Sequence, residues 1–327
     1  MAATLSESEL LALVSALSDG AWHSGEALAA DAGITRAALA KRIAKLSAWG
    51  LDVEARVGLG YRLAQPVDLL DAKRIRRALP ELARDRLRRV DVIAITDSTN
   101  QRLAEADASA DPQALFAEFQ SAGRGRHGRE WVSPFGANVY LSLAWTFPHW
   151  PAQITALPLA IGVACARALR AQGVDGVALK WPNDLLVGGK KLGGILIEQR
   201  GEGGGACRAI VGVGINVSMQ DARGITQPWT SVASVIGKTP SRNAIAAELL
   251  AQLVLALEQF AERGFAAFAT EWDRLDLTRD QPVRIEAGKD SYEGVARGLD
   301  RNGALKIETS SGVRHALAGD VSLRVKT

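Results

Sequence analysis

The 327-residue sequence is short of the residues that build redox and metal sites. Its two cysteines, Cys165 and Cys207, stand far apart, one in a helical pattern and one at the start of a strand pattern, without the spacing of a disulfide, redox or zinc motif. Both read as small, reduced core residues. The four histidines, at 23, 127, 149 and 315, form no ligand pattern, which speaks against catalytic zinc, and no protein-held metal site is expected. Long apolar runs are lacking as well. The longest, Ile154 to Ala166, carries Pro158 and reads as too short to span a bilayer, and the N-terminus has no charged start followed by an apolar stretch. A cytoplasmic protein without a membrane partner is expected. An excess of one charge is also missing: 39 Lys+Arg against 36 Asp+Glu leaves +3, so any basic surface must be local.

What is present is enough apolar residue, 47%, for one substantial core in a chain of two or three domains. Residues 1–66 differ from the rest. Leu5 to Leu17 has helical apolar spacing, Gly20 ends it, Ser24 starts a second helix, and after Gly33 a third runs from Arg36 to Trp49 with Thr35 as its cap. On that helix Leu39, Ile43 and Leu46 share one side, while Lys41, Arg42 and Lys45 spread over the other. Val53 to Leu63 reads as two short strands around a glycine turn, completing a winged helix-turn-helix. The section holds six Lys/Arg against seven Asp/Glu, yet Arg36 to Lys45 contains four basic residues and no acidic one. Arg36, Lys41, Arg42 and Lys45 are therefore the candidate DNA-contacting residues of a recognition helix, with Arg56 and Arg62 of the wing for phosphate.

Residues 67–273 form the largest section. Lys73 to Arg89 is a basic run that reads as a solvated helix face. Strand patterns follow at 90–95, 114–120, 137–147, 178–187, 191–199 and 208–218, with helices at 99–108, 154–172 and 242–263. The order implies an α+β fold, a mixed sheet with helices mostly to one side. Within a last section, residues 274–327, Gln281 to Val325 shows short alternating strands with turns at Asn302-Gly303 and Ser311-Gly312, the pattern of a small β-barrel.

Within the central section GRGRHG, Gly123 to Gly128, has the glycine spacing of a dinucleotide-binding turn, but its context rejects that reading. Pro134 and Gly136 would break the helix that should follow, and no Asp or Glu occurs between Glu130 and Asp175 to hold a ribose. What remains is a glycine-rich loop between strands carrying Arg124, Arg126 and Arg129, able to clamp phosphate or carboxylate, or a solvated basic loop if it stood alone. Three other stretches are polar where a strand should be apolar. Asp97-Ser98-Thr99-Asn100 would serve equally well as a helix cap. Lys180-Trp181-Pro182-Asn183-Asp184 precedes a glycine hairpin at Val187-Gly188-Gly189 that would return Lys191 beside Asp184. Val213-Gly214-Ile215-Asn216-Val217 interrupts an apolar strand. Together they supply arginine, lysine, carboxylate and amides, an inventory that suits attack of a carboxylate on the α-phosphate of a nucleoside triphosphate.

DSTN, QSAGRGRHGREWVSPFGANVYLSL, KWPNDLLVGGKKLGGILIE and VGVGINV, in this order, closely resemble the biotin protein ligases. The N-terminal section resembles the DNA-binding domain of the bifunctional members, which are also biotin operon repressors. The resemblance implies a ligase-type central domain and an SH3-like C-terminal barrel, with biotin and ATP as substrates, magnesium as cofactor, and two partners: the biotin carboxyl carrier protein of acetyl-CoA carboxylase, and operator DNA bound by a homodimer carrying biotinyl-AMP. It places Ser98, Thr99, Asn100 and Gln120 around the ureido ring of biotin, and Arg124, Gly125 and Arg126 in the loop that closes over the intermediate. Lys191 contacts the biotin carboxylate and phosphate, Asp184 serves magnesium or acceptor-lysine chemistry, Asn183 and Asn216 line the nucleotide side, and Trp229 covers the adenine. Lys191, Asp184 and Arg126 are thus the catalytic candidates. His127 and Glu130 depart from the basic residues common in this loop.

Two rivals stay in view. A lipoate ligase would share the fold and the chemistry but lack the GRGRHG and KWPND pairing. A regulator that senses a ligand without catalysis would not need Lys191, Asp184 and an arginine loop placed for phosphoryl chemistry.

Overall fold

The computed structural model describes residues 7–201, 205–220, 224–287, 290–317 and 321–325. In the N-terminal section α1 (Glu7–Leu17), α2 (Gly25–Asp31) and α3 (Arg36–Leu46) are followed by the strands β1 (Val53–Arg56) and β2 (Gly60–Leu63). The Ser24 hydroxyl accepts hydrogen bonds from Glu26 and Ala27 N–H, and Thr35 caps α3 through Ala38 N–H, so both helix starts lie where short hydroxyl side chains satisfy the first donors. Leu5 and Ser6, the first residues of the expected first helix, lie outside the described residues. The third helix ends three residues earlier than expected and tightens into a 3-10 turn at Ser47–Trp49, closed by Gly50 at φ 80°.

The basic run after the linker is not one helix. Pro80 separates α4 (Ala72–Ala78) from α5 (Glu81–Arg86), because proline offers no N–H to continue the ladder. The central sheet contains β3 (Arg89–Thr96), β4 (Gln113–Gln120), β5 (Val139–Phe147), β6 (Val177–Lys180), β7 (Asp184–Val187), β8 (Lys190–Arg200) and β9 (Cys207–Ile215), in the order β3-β4-β5-β9-β8-β7-β6. Only β3 and β4 are parallel, joined through α6 (Thr99–Glu105). The single strand expected over 178–187 is two, β6 and β7, turned at Trp181-Pro182-Asn183 so that Lys180 pairs with Asp184.

Side-chain alternation divides the two faces of this sheet. On β9, Ala209, Val211, Val213 and Ile215 enter the large core beneath α7 (Leu157–Ala171) and the later helix α9 (Arg242–Arg263), which follows the short α8 (Val232–Ile236). Ile210 faces the other way, toward Leu103 and Ala104 of α6, and Gly212 and Gly214 share that face. The segments Ile154–Ala171 and Arg242–Ala267 are long and apolar enough to cross a bilayer, which corrects the length argument made from Ile154 to Ala166 alone; here most of the apolar 18-residue stretch of each is buried as a core helix. Both cysteines are free and buried, and burial pushes their thiols up from the ordinary range.

After α10 (Ala269–Leu275) come β10 (Pro282–Ala287), β11 (Asp290–Leu299), β12 (Leu305–Thr309), β13 (Gly312–Ala316) and β14 (Val321–Val325). They form an antiparallel sheet in the order β13-β12-β11-β10-β14, and among the described residues no pairing of β13 with β14 closes it into a barrel. Both expected turns are realised, with Gly303 at φ 80° and Gly312 at φ 117°. The Gly303 turn is seated on the central domain: the indole N–H of fully buried Trp181 donates to Gly303 O at 3.3 Å.

The linker between the first two sections is held along its length. Val67 N–H donates to Ser18 O, Leu70 N–H to the Glu118 carboxylate at 2.6 Å, and Asp71 N–H to Asn243 Oδ1 at 2.8 Å. Arg242, buried at 2% exposure, lies 2.8 Å from Glu118 and donates to Asp68 O and Asn138 O. The winged section is therefore anchored rather than tethered.

Candidate active site and DNA-contacting surface

One cavity of about 580 Å³ opens on the sheet face left free by α7 and α9, and all of the sequence-derived ligand-site residues line it. Ser98, Thr99, Asn100 and Gln120 come from the β3–β4 side of the sheet and Lys180 to Asp184 with Lys191 from the β6–β8 side, and Arg124 to His127, Arg129 to Trp131, Asn216 and Trp229 complete the lining.

The capping alternative for DSTN is resolved by Gln120. Its Oε1 accepts the Thr99 backbone N–H at 3.0 Å, taking one of the unpaired donors at the start of α6, while Ser98 makes no capping bond with its side chain. Asp97 instead binds Ser98 N–H at 2.6 Å, and that bond, with Thr96 and Arg124 beside it, holds its carboxyl below the usual carboxylate range. Asn100 sits deeper than a ligand-contacting amide needs to. Its Oδ1 lies 2.6 Å from Ser142 Oγ, and its Nδ2 donates to Leu196 O and to Glu198 Oε2 at 2.8 Å. Gly212 makes room for it, since a Cβ there would stand 2.4 Å from Asn100 Oδ1. Gly214 serves Trp131 in the same way, with the ring 2.6 Å from a Cβ position. The glycines that interrupt the apolar strand are the floor on which these side chains rest.

At the reacting end, β7 and β8 pair through the Gly188-Gly189 turn and a register shift beside Leu186↔Lys191. The expected juxtaposition is present: Lys191 Nζ lies 2.7 Å from Asp184 Oδ1, with both side chains about four-fifths buried. The ammonium also stands 5.4 Å from the centroid of the Trp131 ring. Lys191 carries the Trp229 loop on its own backbone, through Lys191 N–H to Pro228 O and Thr230 N–H to Lys191 O, both at 2.9 Å. Asn216 secures that loop by donating to Thr230 O at 3.1 Å. Asn183 donates to Ile195 O at 2.7 Å and turns its Oδ1 toward Arg126 Nη1 at 3.5 Å, a long contact. In the loop Gly125 N–H donates to Arg129 O, and His127 takes a left-handed conformation at φ 57°. Arg124 reaches Gln101 at 2.5 Å and stands 4.0 Å from Glu198.

Sequence reasoning missed Trp131, Ser142 and Glu198. Trp131 directly follows the loop and Glu198 closes the LGGILIE stretch, so proximity was available as a signal. What it could not show is that Ser142 and Glu198 would converge on Asn100 from two different strands.

The basic helix departs from expectation at one position. Arg36, Lys41 and Lys45 are exposed, but Arg42 is turned inward at 8% exposure and pairs with Glu9 of α1 at 2.5 Å. Positions 39, 42 and 46 form one helical stripe, so Arg42 belongs with Leu39 and Leu46 and is withdrawn as a DNA-contacting residue. Arg56 and Arg62 lie over the Trp22 ring, at 5.8 and 4.8 Å from its centroid, and Arg62 is also bonded to Glu54. Arg56 stays exposed and Arg62 half-buried, so both remain at the wing surface with their guanidinium groups resting against an aromatic face.

Comparison with known proteins agrees with this arrangement. Residues 92–216 match the biotin/lipoate A/B protein ligase family, residues 279–324 the biotin protein ligase C-terminal domain, and residues 9–62 an HTH domain. The chain is 41% identical to the bifunctional ligase/repressor BirA of Salmonella typhimurium, over 96% of this chain and 97% of that one, and 40% identical to its Escherichia coli counterpart over the same shares. Among solved structures, the biotin protein ligase of Aquifex aeolicus in complex with biotin and ATP superposes with a TM-score of 0.64 at 29% identity, covering 73% of this chain and 99% of that one.

Proposed function

The chain belongs to the biotin protein ligases and is a bifunctional ligase and repressor, and from that premise we propose how its residues divide the work. Biotin enters ring first toward Ser98, Thr99 and Gln120, leaving its carboxylate beside Lys191. A carboxylate oxygen attacks the α-phosphorus of ATP, the bond to the β-phosphate oxygen breaks, and biotinyl-5'-AMP and pyrophosphate form. A lysine amine of the biotin carboxyl carrier protein then attacks the biotinyl carbonyl; an amide forms and AMP leaves. The observation that carries this reading is the Lys191–Asp184 pair at 2.7 Å, opening into the same cavity as Arg126 and the polar end.

In the first step Lys191 exchanges Asp184 for the incoming carboxylate and phosphate, which keeps a cation where negative charge gathers. Asp184, released, is the carboxylate free to hold magnesium, a cation that takes one or two carboxylates together with substrate phosphates; when bound it would neutralise phosphate charge. In the second step the same carboxylate faces the acceptor amine. Asn100 acts as a support, since both ends of its amide are engaged, while Asn216 holds the Trp229 loop with its Nδ2 and still lines the cavity. Arg126 and the ordered loop keep water from the mixed anhydride, with Arg124, Gly125 and the Trp229 side completing the enclosure. Pyrophosphate exchange into ATP, run with biotin, lipoate and neither, tests the reading: exchange with biotin alone is expected, and exchange with lipoate alone would refute it.

The two activities meet in the adenylate. By ordering Gly123 to Arg129 and the Trp229 loop it favours a homodimer built on the central sheet, and two recognition helices then engage a palindromic operator. The domain limits remain 1–66, 67–273 and 274–327, and two buried, reduced cysteines suit a cytoplasmic setting. Gel shift at fixed salt with and without biotin plus ATP checks the switch, which equal binding would remove.

A further inference from the structure

The tip of the β1–β2 hairpin carries side chains that folding does not ask for. Arg56 to Leu59 form a turn closed by Leu59 N–H to Arg56 O at 3.1 Å, with Gly58 at φ 83°. Val57 takes the second position, where proline or polar residues are usual, and it is wholly exposed at 102%; Leu59 stands at 43%. Among the described residues these are the only exposed large hydrophobics before Leu82. The hairpin beneath them is rigid. It pairs from Val53↔Leu63 to Arg56↔Gly60, and Tyr61 exchanges both backbone hydrogen bonds with His23, at 2.8 and 2.9 Å. Gly60 permits that contact, because a Cβ there would lie 1.9 Å from His23 O. The two wing arginines are drawn back over Trp22, so the apolar residues lead.

We propose that Val57 and Leu59 form an apolar wedge that enters the minor groove of operator DNA beside the site read by α3, an inference that rests on the repressor reading above. The exposed cations of the same winged section decide the partner. Arg36, Lys41 and Lys45 are exposed on a helix stretch without an acidic residue, which suits a polyanion. The apolar surface a duplex offers to a hairpin is the sugar edge and base step of the minor groove, where side chains such as Leu and Ile are known to insert. Such a wedge favours easily unstacked pyrimidine–purine steps, so the wing contributes specificity without hydrogen bonds to bases.

The test uses the full-length protein with biotin and ATP, and a duplex it selects from a random-sequence library. A variant with Val57→Ser and Leu59→Ser is expected to bind this duplex about tenfold more weakly at every salt concentration, with an unchanged salt slope, because apolar contact and not phosphate contact is lost. Its own selection from the library should lose the preferred step under the wing, while biotin transfer stays at the wild-type rate. Unchanged affinity, a flattened salt slope or slowed transfer would each overturn the wedge. Failure of the wild-type protein to select any duplex would overturn the repressor reading itself and the wedge with it, which separates the two failures.

Discussion

Two arginine-rich stretches of this chain look alike in sequence and behave differently in space. In the Gly123–Arg129 loop the guanidinium groups of Arg124 and Arg126 line a cavity, and a glycine backbone holds them there. In α3, four basic residues fall within ten positions, yet Arg42 is folded inward onto Glu9 and only Arg36, Lys41 and Lys45 face outward. A loop displays its charges by having no inner face of its own, whereas a helix assigns each residue to a side by its 100° step. Counting charges is therefore a fair guide to function in the loop and a poor one in the helix.

The comparison is strained most by removing the cation the loop closes over. Lys191→Ala should lower biotin-dependent pyrophosphate exchange at least about 10²–10³-fold, with an unchanged far-UV spectrum, because the cation opposite the developing phosphate charge is gone. Near-normal exchange by the folded variant would take Lys191 out of the mechanism. Arg126→Gly should act less on chemistry than on retention. Escaping adenylate is expected to raise biotin labelling of an unrelated protein about tenfold, since the anhydride then meets water and bystander amines; labelling equal to wild type would deny Arg126 its enclosing role.

The helix half of the contrast is tested by its own residues. Arg42→Ala should cost about 1–2 kcal/mol of stability in urea melts, part of the penalty for breaking a buried pair because Glu9 is itself half-exposed. A variant as stable as wild type but weaker on DNA would return Arg42 to the contact surface. Lys45→Ala should do the reverse, leaving stability intact and reducing the salt slope of operator binding by about one contact per protomer. The smallest effect concerns the cysteines. With both thiols pushed up by burial, iodoacetamide at pH 8 should leave native Cys165 and Cys207 unlabelled. Because burial keeps the native thiols protonated, they weigh on neither state at neutral pH, and native stability falls as pH rises past the thiol range of the unfolded chain.

Much of the molecule was legible before its structure. Hydrophobic periodicity placed the three N-terminal helices, the wing, most sheet strands and α9, because those elements bury one face and their sequences show which. The glycine hairpin at 188–189 was enough to bring Lys191 back to Asp184, since a two-residue turn leaves few alternatives of register. Local signals failed where a second element intervened. The helix expected to run on to Arg89 was broken by Pro80, and the strand over 178–187 folded back at Pro182.

The sequence by itself determined the chemistry available: which residues can carry charge, where glycine admits a close approach, and which stretches alternate. Only the tertiary structure decided how that chemistry is spent. Asn100 became a support because Ser142 arrives from β5 and Glu198 from β8, and Gln120 took over the helix cap, which leaves Ser98 facing the cavity. Arg42 became an internal ion pair because Glu9 of another helix lies within reach. The physical reason is the same in each case. A polar side chain goes to the partner that best repays its desolvation, and that partner stands next to it only after strands and helices distant in the chain have packed.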